Sequence, residues 1–246
     1  LTKRLRVFAG PNGSGKSTVQ ARVSVNYDIG HFVNADNIER LLHQDKSISF
    51  NDFDIVVSPK ELSSAFAESG FNEKVNLSIL GKSISLRHNV LKIKKDVDQY
   101  GYLGAILSEV IRNKLLASNK DFSFETVMSH PGKLDFLKNA KLKGFKTYLY
   151  FVATESVTIN IGRVQTRVQR GGHDVPQNKI ISRYRKSLEL LAQAVESVDR
   201  AFIIDNSNGN RMLLLAEKDD DEIMVYGNDI PEWLDHYLIN KLVPFR

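Results

Sequence analysis

The stretch that decides the fold is Leu5-Arg6-Val7-Phe8-Ala9, followed directly by Gly10-Pro11-Asn12-Gly13-Ser14-Gly15-Lys16-Ser17-Thr18. The first five residues are a short apolar run of the kind a buried parallel strand shows. The next nine fit G-x-x-x-x-G-K-[ST]. Residues 16–24 then continue in a helical pattern. Strand, glycine-rich turn and helix in that order are the setting a phosphate loop requires. Gly13 and Gly15 can turn backbone N–H groups inward around an oxyanion. The new helix N-terminus adds its dipole. Lys16 reaches the β- and γ-phosphates, and Ser17 offers its hydroxyl to Mg²⁺. All nine residues, from Gly10 to Thr18, are therefore candidate triphosphate-binding residues.

Working outward, the pattern alternates. Residues 31–35 read as a second strand and 37–43 as a helix. Residues 122–127 (FSFETV), 146–153 (KTYLYFVA) and 201–205 (AFIID) read as three further strands. Helices are expected over 133–143 with Gly144 as C-cap, over 157–170, and over 176–197 with Pro176 at the start. This alternation predicts an α/β fold of the P-loop NTPase, nucleotide-kinase-like kind. It has a parallel sheet covered by helices on both faces. The whole chain, 1–246, reads as one such domain. Residues 44–99 break the rhythm and read as an inserted subdomain. There, Ser58-Pro59-Lys60-Glu61 has the form of a capping box, and residues 82–95 alternate around His88-Asn89 as a hairpin would. Residues 102–117 carry an amphipathic helical spacing. Near the C-terminus, residues 212–216 and 223–226 flank an acidic turn, an expected edge hairpin, with a helix from Pro231.

Composition narrows the class. The 246 residues are 42% hydrophobic and 26% charged, which excludes disorder as the main state. No apolar run is long enough to span a bilayer. The basic start meets Gly10 too soon for a secretory core, so a cytoplasmic location is expected. There is no cysteine, which excludes disulfides, thiolate zinc sites and a cysteine nucleophile. The six histidines show no H-x₃-H spacing. A guanine-reading Asn-Lys-x-Asp is missing from the sequence. Phe202-Ile203-Ile204-Asp205 matches a Walker B run only approximately. Element order favours a phosphotransferase with the P-loop first and an arginine-bearing lid late, over 160–185.

The remaining candidates follow from placement. Asp36 comes after the second strand, where carboxyl ends of strands line the crevice of an open α/β sheet. It is the candidate general base for an acceptor hydroxyl, with helix N-capping as the structural alternative. Glu125 and Thr126 end the third strand. Glu125 is a candidate for holding Mg²⁺ or the acceptor's hydroxyls, and Thr126 for hydrogen-bonding the acceptor. Arg163, Arg167 and Arg170 are spaced i, i+4, i+7 and share a helix face. Gly171-Gly172 follows them, then His173, a further candidate phosphate contact. An arginine face beside a glycine break suits a lid that excludes water. Asp205 and residues 206–209 are a candidate base pocket.

Together, AGPNGSGKST at 9–18, VNAD at 33–36, FETVMSHP at 124–131, YLYFVAT at 148–154 and the region from Arg163 to Tyr184 make a wider pattern. It resembles the zeta-toxin-like P-loop kinases over nearly all of the core, outside residues 44–99 and the C-terminal hairpin. The resemblance implies an ATP- and Mg²⁺-dependent kinase. Its characterised toxins phosphorylate the 3′-hydroxyl of UDP-N-acetylglucosamine, and a small helical antitoxin blocks their ATP site. By motif, Lys16 would hold phosphates, Ser17 the Mg²⁺, Asp36 would be the base, Glu125 and Thr126 would contact the acceptor, and Arg163 would be a lid arginine. The toxins carry a second lid arginine close before the proline that opens the next helix. Here His173 lies nearest that register, with Arg170 and Arg167 further back.

Two other readings remain at the level of sequence. A polynucleotide 5′-end kinase would need a basic channel with aromatic residues; residues 82–95 are basic but hold none, so nucleic acid is not the expected partner. A nucleotide-gated interaction module would use residues 44–99 to engage a protein.

Overall fold

The computed structural model describes residues 2–71, 75–95, 98–209 and 211–242. In chain order the elements are β1 (Arg4–Ala9), α1 (Lys16–Asn26), β2 (His31–Val33), α2 (Ala35–Asp45), β3 (Ser47–Ser49), α3 (Pro59–Glu68), α4 (Leu77–Lys82), β4 (Ile84–Arg87), β5 (Val90–Ile93) and α5 (Tyr100–Ala117). Then come β6 (Phe122–Thr126), α6 (Gly132–Leu142), β7 (Lys146–Ala153), α7 (Val157–Gln169), α8 (Gln177–Glu189), α9 (Leu191–Glu196), β8 (Arg200–Asp205), β9 (Leu213–Asp219) and β10 (Glu222–Val225). A helical segment closes the described chain, α10 (Glu232–Leu234), a wide turn Asp235–Ile239 and α11 (Asn240–Leu242). These group into two compact units. One comprises Leu1–Ile29 with Glu125–Arg246, the other Gly30–Phe124.

In the first unit β1 pairs with β7, and β7 with β8, all parallel, with Ala9 beside Phe151 and Ala153 beside Asp205. β9 and β10 extend this sheet antiparallel beyond β8. Near-continuous apolar sequence makes the parallel strands core on both faces. Leu5, Val7, Phe8, Ala9 and Leu149, Phe151, Val152, Ala153 are fully buried. Phe8, Tyr150 and Phe202 stack across the three strands, with ring centroids 5.1 and 5.0 Å apart. Three neighbouring strands of one direction bring their C-terminal ends together. The loops starting at Gly10, Thr154 and Asn206 therefore meet at one edge of the sheet.

In the second unit β2 pairs parallel with the first residues of β6. Helices α2 and α5 bury Ile38, Leu42, Leu103, Ile106 and Leu107. They approach closely enough that a Cβ on Gly104 would lie 2.9 Å from the Ala35 carbonyl oxygen. β3, β5 and β4 form a separate antiparallel sheet. Its β4–β5 turn is His88-Asn89, both in the left-handed region at φ 50° and 62°. The expected capping box is present, with Ser58 and Glu61 bonded reciprocally at the start of α3.

Three expectations are corrected. β2 stops at Val33, because Asn34 caps the next helix, accepting from Asp36 N and Asn37 N at 2.8 and 3.1 Å. Asp36 is thus not a cap but sits in the first turn of α2. The long helix over 176–197 is two helices, broken at Leu190. The acidic turn is narrower than 218–222, since Lys218 and Glu222 both belong to strands. The compact unit around residues 44–99 also takes in β2, α2, α5 and part of β6.

Candidate functional site

The P-loop joins β1 to α1. Gly10, Gly13 and Gly15 have φ of 134°, 77° and 104°, a region costly for any residue with a Cβ. Space forbids one as well. A Cβ would lie 2.0 Å from the Val152 carbonyl oxygen at Gly10 and 2.6 Å from the Asn160 carbonyl oxygen at Gly13. Helix α1 starts without a side-chain cap and without an acid in its first turn. Its N-terminal dipole favours an anion.

One carboxylate organises the polar end. Ser17 Oγ donates to Glu125 Oε2 at 2.9 Å, and Lys16 Nζ lies 3.7 Å from Glu125 Oε1. Lys16 is buried, and its ammonium donates to the Pro11 carbonyl at 2.8 Å. The structure therefore unites three sequence candidates, Lys16, Ser17 and Glu125. A hydroxyl and a carboxylate side by side are the hard oxygen donors Mg²⁺ takes, and a glycine loop ending at a helix N-terminus suits phosphate oxygens. The residues present fit both groups.

The other candidates are distributed. Thr126 accepts from Met128 N at 3.2 Å, a local turn that buries Met128. Arg163 Nη2 donates to the carbonyls of Asn206 and Ser207 at 2.7 and 3.4 Å. Arg167 Nη2 donates to the His173 carbonyl at 2.7 Å, closing the glycine break. Arg170 caps α7 and is exposed. The α7–α8 hairpin has its own small core of Val164, Val175 and Ile180. Burial raises the Tyr184 hydroxyl to about 12, and that hydroxyl ties α8 to the Thr154 carbonyl at 2.6 Å. Asp205 is occupied by its own loop, accepting from Ser207 N, Ser207 Oγ and Trp233 Nε1 at 2.9, 2.7 and 3.2 Å. Asp36 belongs to the other unit, exposed on the first turn of α2.

Two residues at the P-loop were not sequence candidates for the phosphate loop; Asn206 was a candidate only as part of a base pocket. Asn160 Nδ2 donates to the Asn12 carbonyl at 2.6 Å, and Asn206 Nδ2 to the Ser14 carbonyl at 2.7 Å. A signal for Asn160 existed: it is an amide on the apolar stripe of α7, beside Val157, Ile161 and Val164.

Solved structures share this architecture. A chain of the AvrRxo1-ORF1:AvrRxo1-ORF2 complex with ATP superposes with a TM-score of 0.57 at 14% identity, over 91% of this chain and 60% of that one. A chain of the PezAT chromosomal toxin–antitoxin system of Streptococcus pneumoniae gives 0.51 at 12% identity, over 97% and 79%. The chain shares the α/β fold of these structures. It spans about three fifths of the AvrRxo1 chain it matches. No protein-family model matches the sequence. An uncharacterized protein of Haemophilus influenzae is 32% identical over 63 residues, 26% of this chain and 45% of that protein. No helix among the described residues is long and apolar enough to cross a membrane.

Proposed function

We propose that the chain is an ATP- and Mg²⁺-dependent kinase of zeta-toxin type, transferring the γ-phosphoryl group to a hydroxyl of a small acceptor. UDP-N-acetylglucosamine is the acceptor to test first. The observation that carries this reading is the contact of Ser17 and Lys16 with one carboxylate, Glu125, beside a cradle that admits only glycine. The neighbour solved with ATP supports the nucleotide.

In this reading residues 10–18 bind the triphosphate, with Lys16 exchanging the Pro11 carbonyl for phosphate oxygens. Ser17 and Glu125 hold Mg²⁺, which when bound neutralises charge on the phosphates. Asp36 takes the proton of the acceptor hydroxyl as its oxygen forms the new bond to phosphorus, and the bond from phosphorus to the ADP oxygen breaks. Glu125 and Thr126 contact the acceptor. Arg163, Arg167, Arg170 and His173, over the lid at 160–185, serve the phosphates and substrate. A cytoplasmic location suits ATP and a nucleotide-sugar. PezAT is a toxin–antitoxin system, which supports an antitoxin as protein partner here.

The test is ³¹P NMR of the protein with ATP, Mg²⁺ and UDP-N-acetylglucosamine, beside Lys16→Ala and Asp36→Asn. A new phosphomonoester resonance, absent in both variants, is expected. ADP without that resonance would keep the kinase and move the acceptor. Full turnover by Asp36→Asn would remove Asp36 as base.

A further inference from the structure

We infer that Asn160 and Asn206 are positioning residues of the phosphate cradle, which aim the Gly13 and Gly15 N–H groups by holding the carbonyls on the opposite edge of the same peptides. This rests on the triphosphate reading above. It adds residues that act through the peptides of the loop.

The argument begins with peptide geometry. No cis peptide occurs among the described residues. A trans peptide is planar, with its C=O and N–H pointing in opposite directions. Fixing the Asn12 carbonyl therefore fixes the direction of Gly13 N–H. Fixing the Ser14 carbonyl does the same for Gly15 N–H. Two buried amides do this, Asn160 at 0% exposure and Asn206 at 6%. Among the described residues, neither Gly13 N–H nor Gly15 N–H meets a hydrogen-bond acceptor. At these two peptides the loop is tied on its carbonyl side and open on its donor side, while the intervening Ser14 N–H donates to the Pro11 carbonyl at 3.3 Å.

The amides are themselves oriented. The Thr154 hydroxyl donates to Asn160 Oδ1, so the NH₂ end of Asn160 must face the loop. Arg163, one turn after Asn160 on α7, holds the Asn206 and Ser207 carbonyls and so the loop that carries Asn206. One helix therefore sets both anchors, one directly and one through Arg163. The anchors also explain why glycine is needed twice. A Cβ on Gly13 would meet the Asn160 backbone, and one on Gly15 would lie 2.3 Å from Asn206 Nδ2. The α7 backbone at Gly13 and the Asn206 amide at Gly15 approach so closely that only a residue without a side chain fits.

The experiment uses the full chain and sodium tripolyphosphate as probe. Calorimetry gives its affinity for wild type, Lys16→Ala, Asn160→Ala and Asn206→Ala, each first shown to be folded by circular dichroism. ¹H–¹⁵N spectra follow the Gly13 and Gly15 amides during titration. Each asparagine variant should bind tripolyphosphate about tenfold more weakly, the scale of a hydrogen bond to a charged group. The downfield shift on binding should be lost at Gly13 in Asn160→Ala and at Gly15 in Asn206→Ala. A purely structural role would lower stability and leave both glycine shifts intact in the folded protein. Unchanged affinity, or shifts retained at both glycines, overturns the inference while the triphosphate reading stands. If wild type binds no tripolyphosphate, or Lys16→Ala binds it equally well, the triphosphate reading itself falls and takes the inference with it. Asn160→Ser and Asn206→Ser, which keep a smaller polar group, replace any alanine variant that does not fold.

Discussion

Two tight turns in this molecule are held by asparagine amides, and they are held in opposite ways. At the β4–β5 turn Asn89 bonds on every side. Its Nδ2 donates to Asn51 Oδ1 and the Ile55 carbonyl at 2.6 and 2.7 Å. Its Oδ1 accepts from Val57 N at 3.0 Å, and its own carbonyl accepts from Phe50 N at 3.0 Å. The Asn89 side chain spends both its donors and its acceptor within the fold. At the P-loop, Asn160 and Asn206 give only their donors, and only to carbonyls. The same side chain closes one turn and leaves the other with two open N–H groups, those of Gly13 and Gly15. Unsatisfied backbone donors are costly in a fold, so leaving two of them beside a buried lysine accords with the anion site proposed above.

Gly13→Ala should break the contrast most completely. It puts a Cβ against the Asn160 backbone at a positive φ, and ATP affinity measured by calorimetry should fall by about 100-fold or more. Gly70→Ala is the matched control. Gly70 has φ 69° and no atom within 4 Å of a Cβ, so a urea midpoint should report only about 1–2 kcal/mol. Asn89→Ala should cost about 2–4 kcal/mol, from several lost hydrogen bonds, two of them partly buried, and a left-handed alanine. Its ATP affinity should stay within twofold, whereas a parallel loss of ATP affinity would mean the two turns are not separate devices. Gly162→Ala, mid-helix in α7 with open space around its Cβ, should raise stability by about 0.5–1 kcal/mol without moving the cradle.

The smallest effect is electrostatic and belongs to the closed region. A hydrogen bond from Lys114, with those of the Ser58 cap, lowers Glu61 from 4.5 to about 2. A depressed carboxyl favours the folded state above its unfolded value and loses that contribution as pH falls from about 4.5 toward 2. Lys114→Met should flatten the acid limb of a urea-midpoint profile between these values. The Glu61 side chain is 45% exposed, so solvent screening keeps the effect small.

Legibility in the sequence followed locality. β1, β7 and β8 were plain from apolar runs, and the cradle from one motif whose spacing is set by phosphate geometry. The capping box at Ser58 and the hairpin at His88-Asn89 were readable because their bonds span few residues. Asn34 hid the end of β2, since a cap and a strand residue look alike until the helix start is known. The break at Leu190 left no glycine or proline to mark it. The compact unit reached beyond residues 44–99 because α2 packs on α5 across some 60 intervening positions. The Ser17–Glu125 bond joins residues 108 apart and the Asn206–Ser14 bond residues 192 apart. Only the parallel order of β1, β7 and β8 makes the second of these local. Arg163 was recognisable as a cation on a shared face, but not as one committed to carbonyls.

The pairing of Lys16 with Glu125 has a consequence for how this protein would respond to its ionic surroundings. The P-loop carries its own counterion. The ammonium is buried and already balanced by a carboxylate 3.7 Å away, so dissolved anions have little free charge to condense on. On the proposed reading, a triphosphate would not meet a bare cation: it would exchange with the Glu125 carboxylate, a hard oxygen donor that would suit a divalent metal carried by the incoming anion.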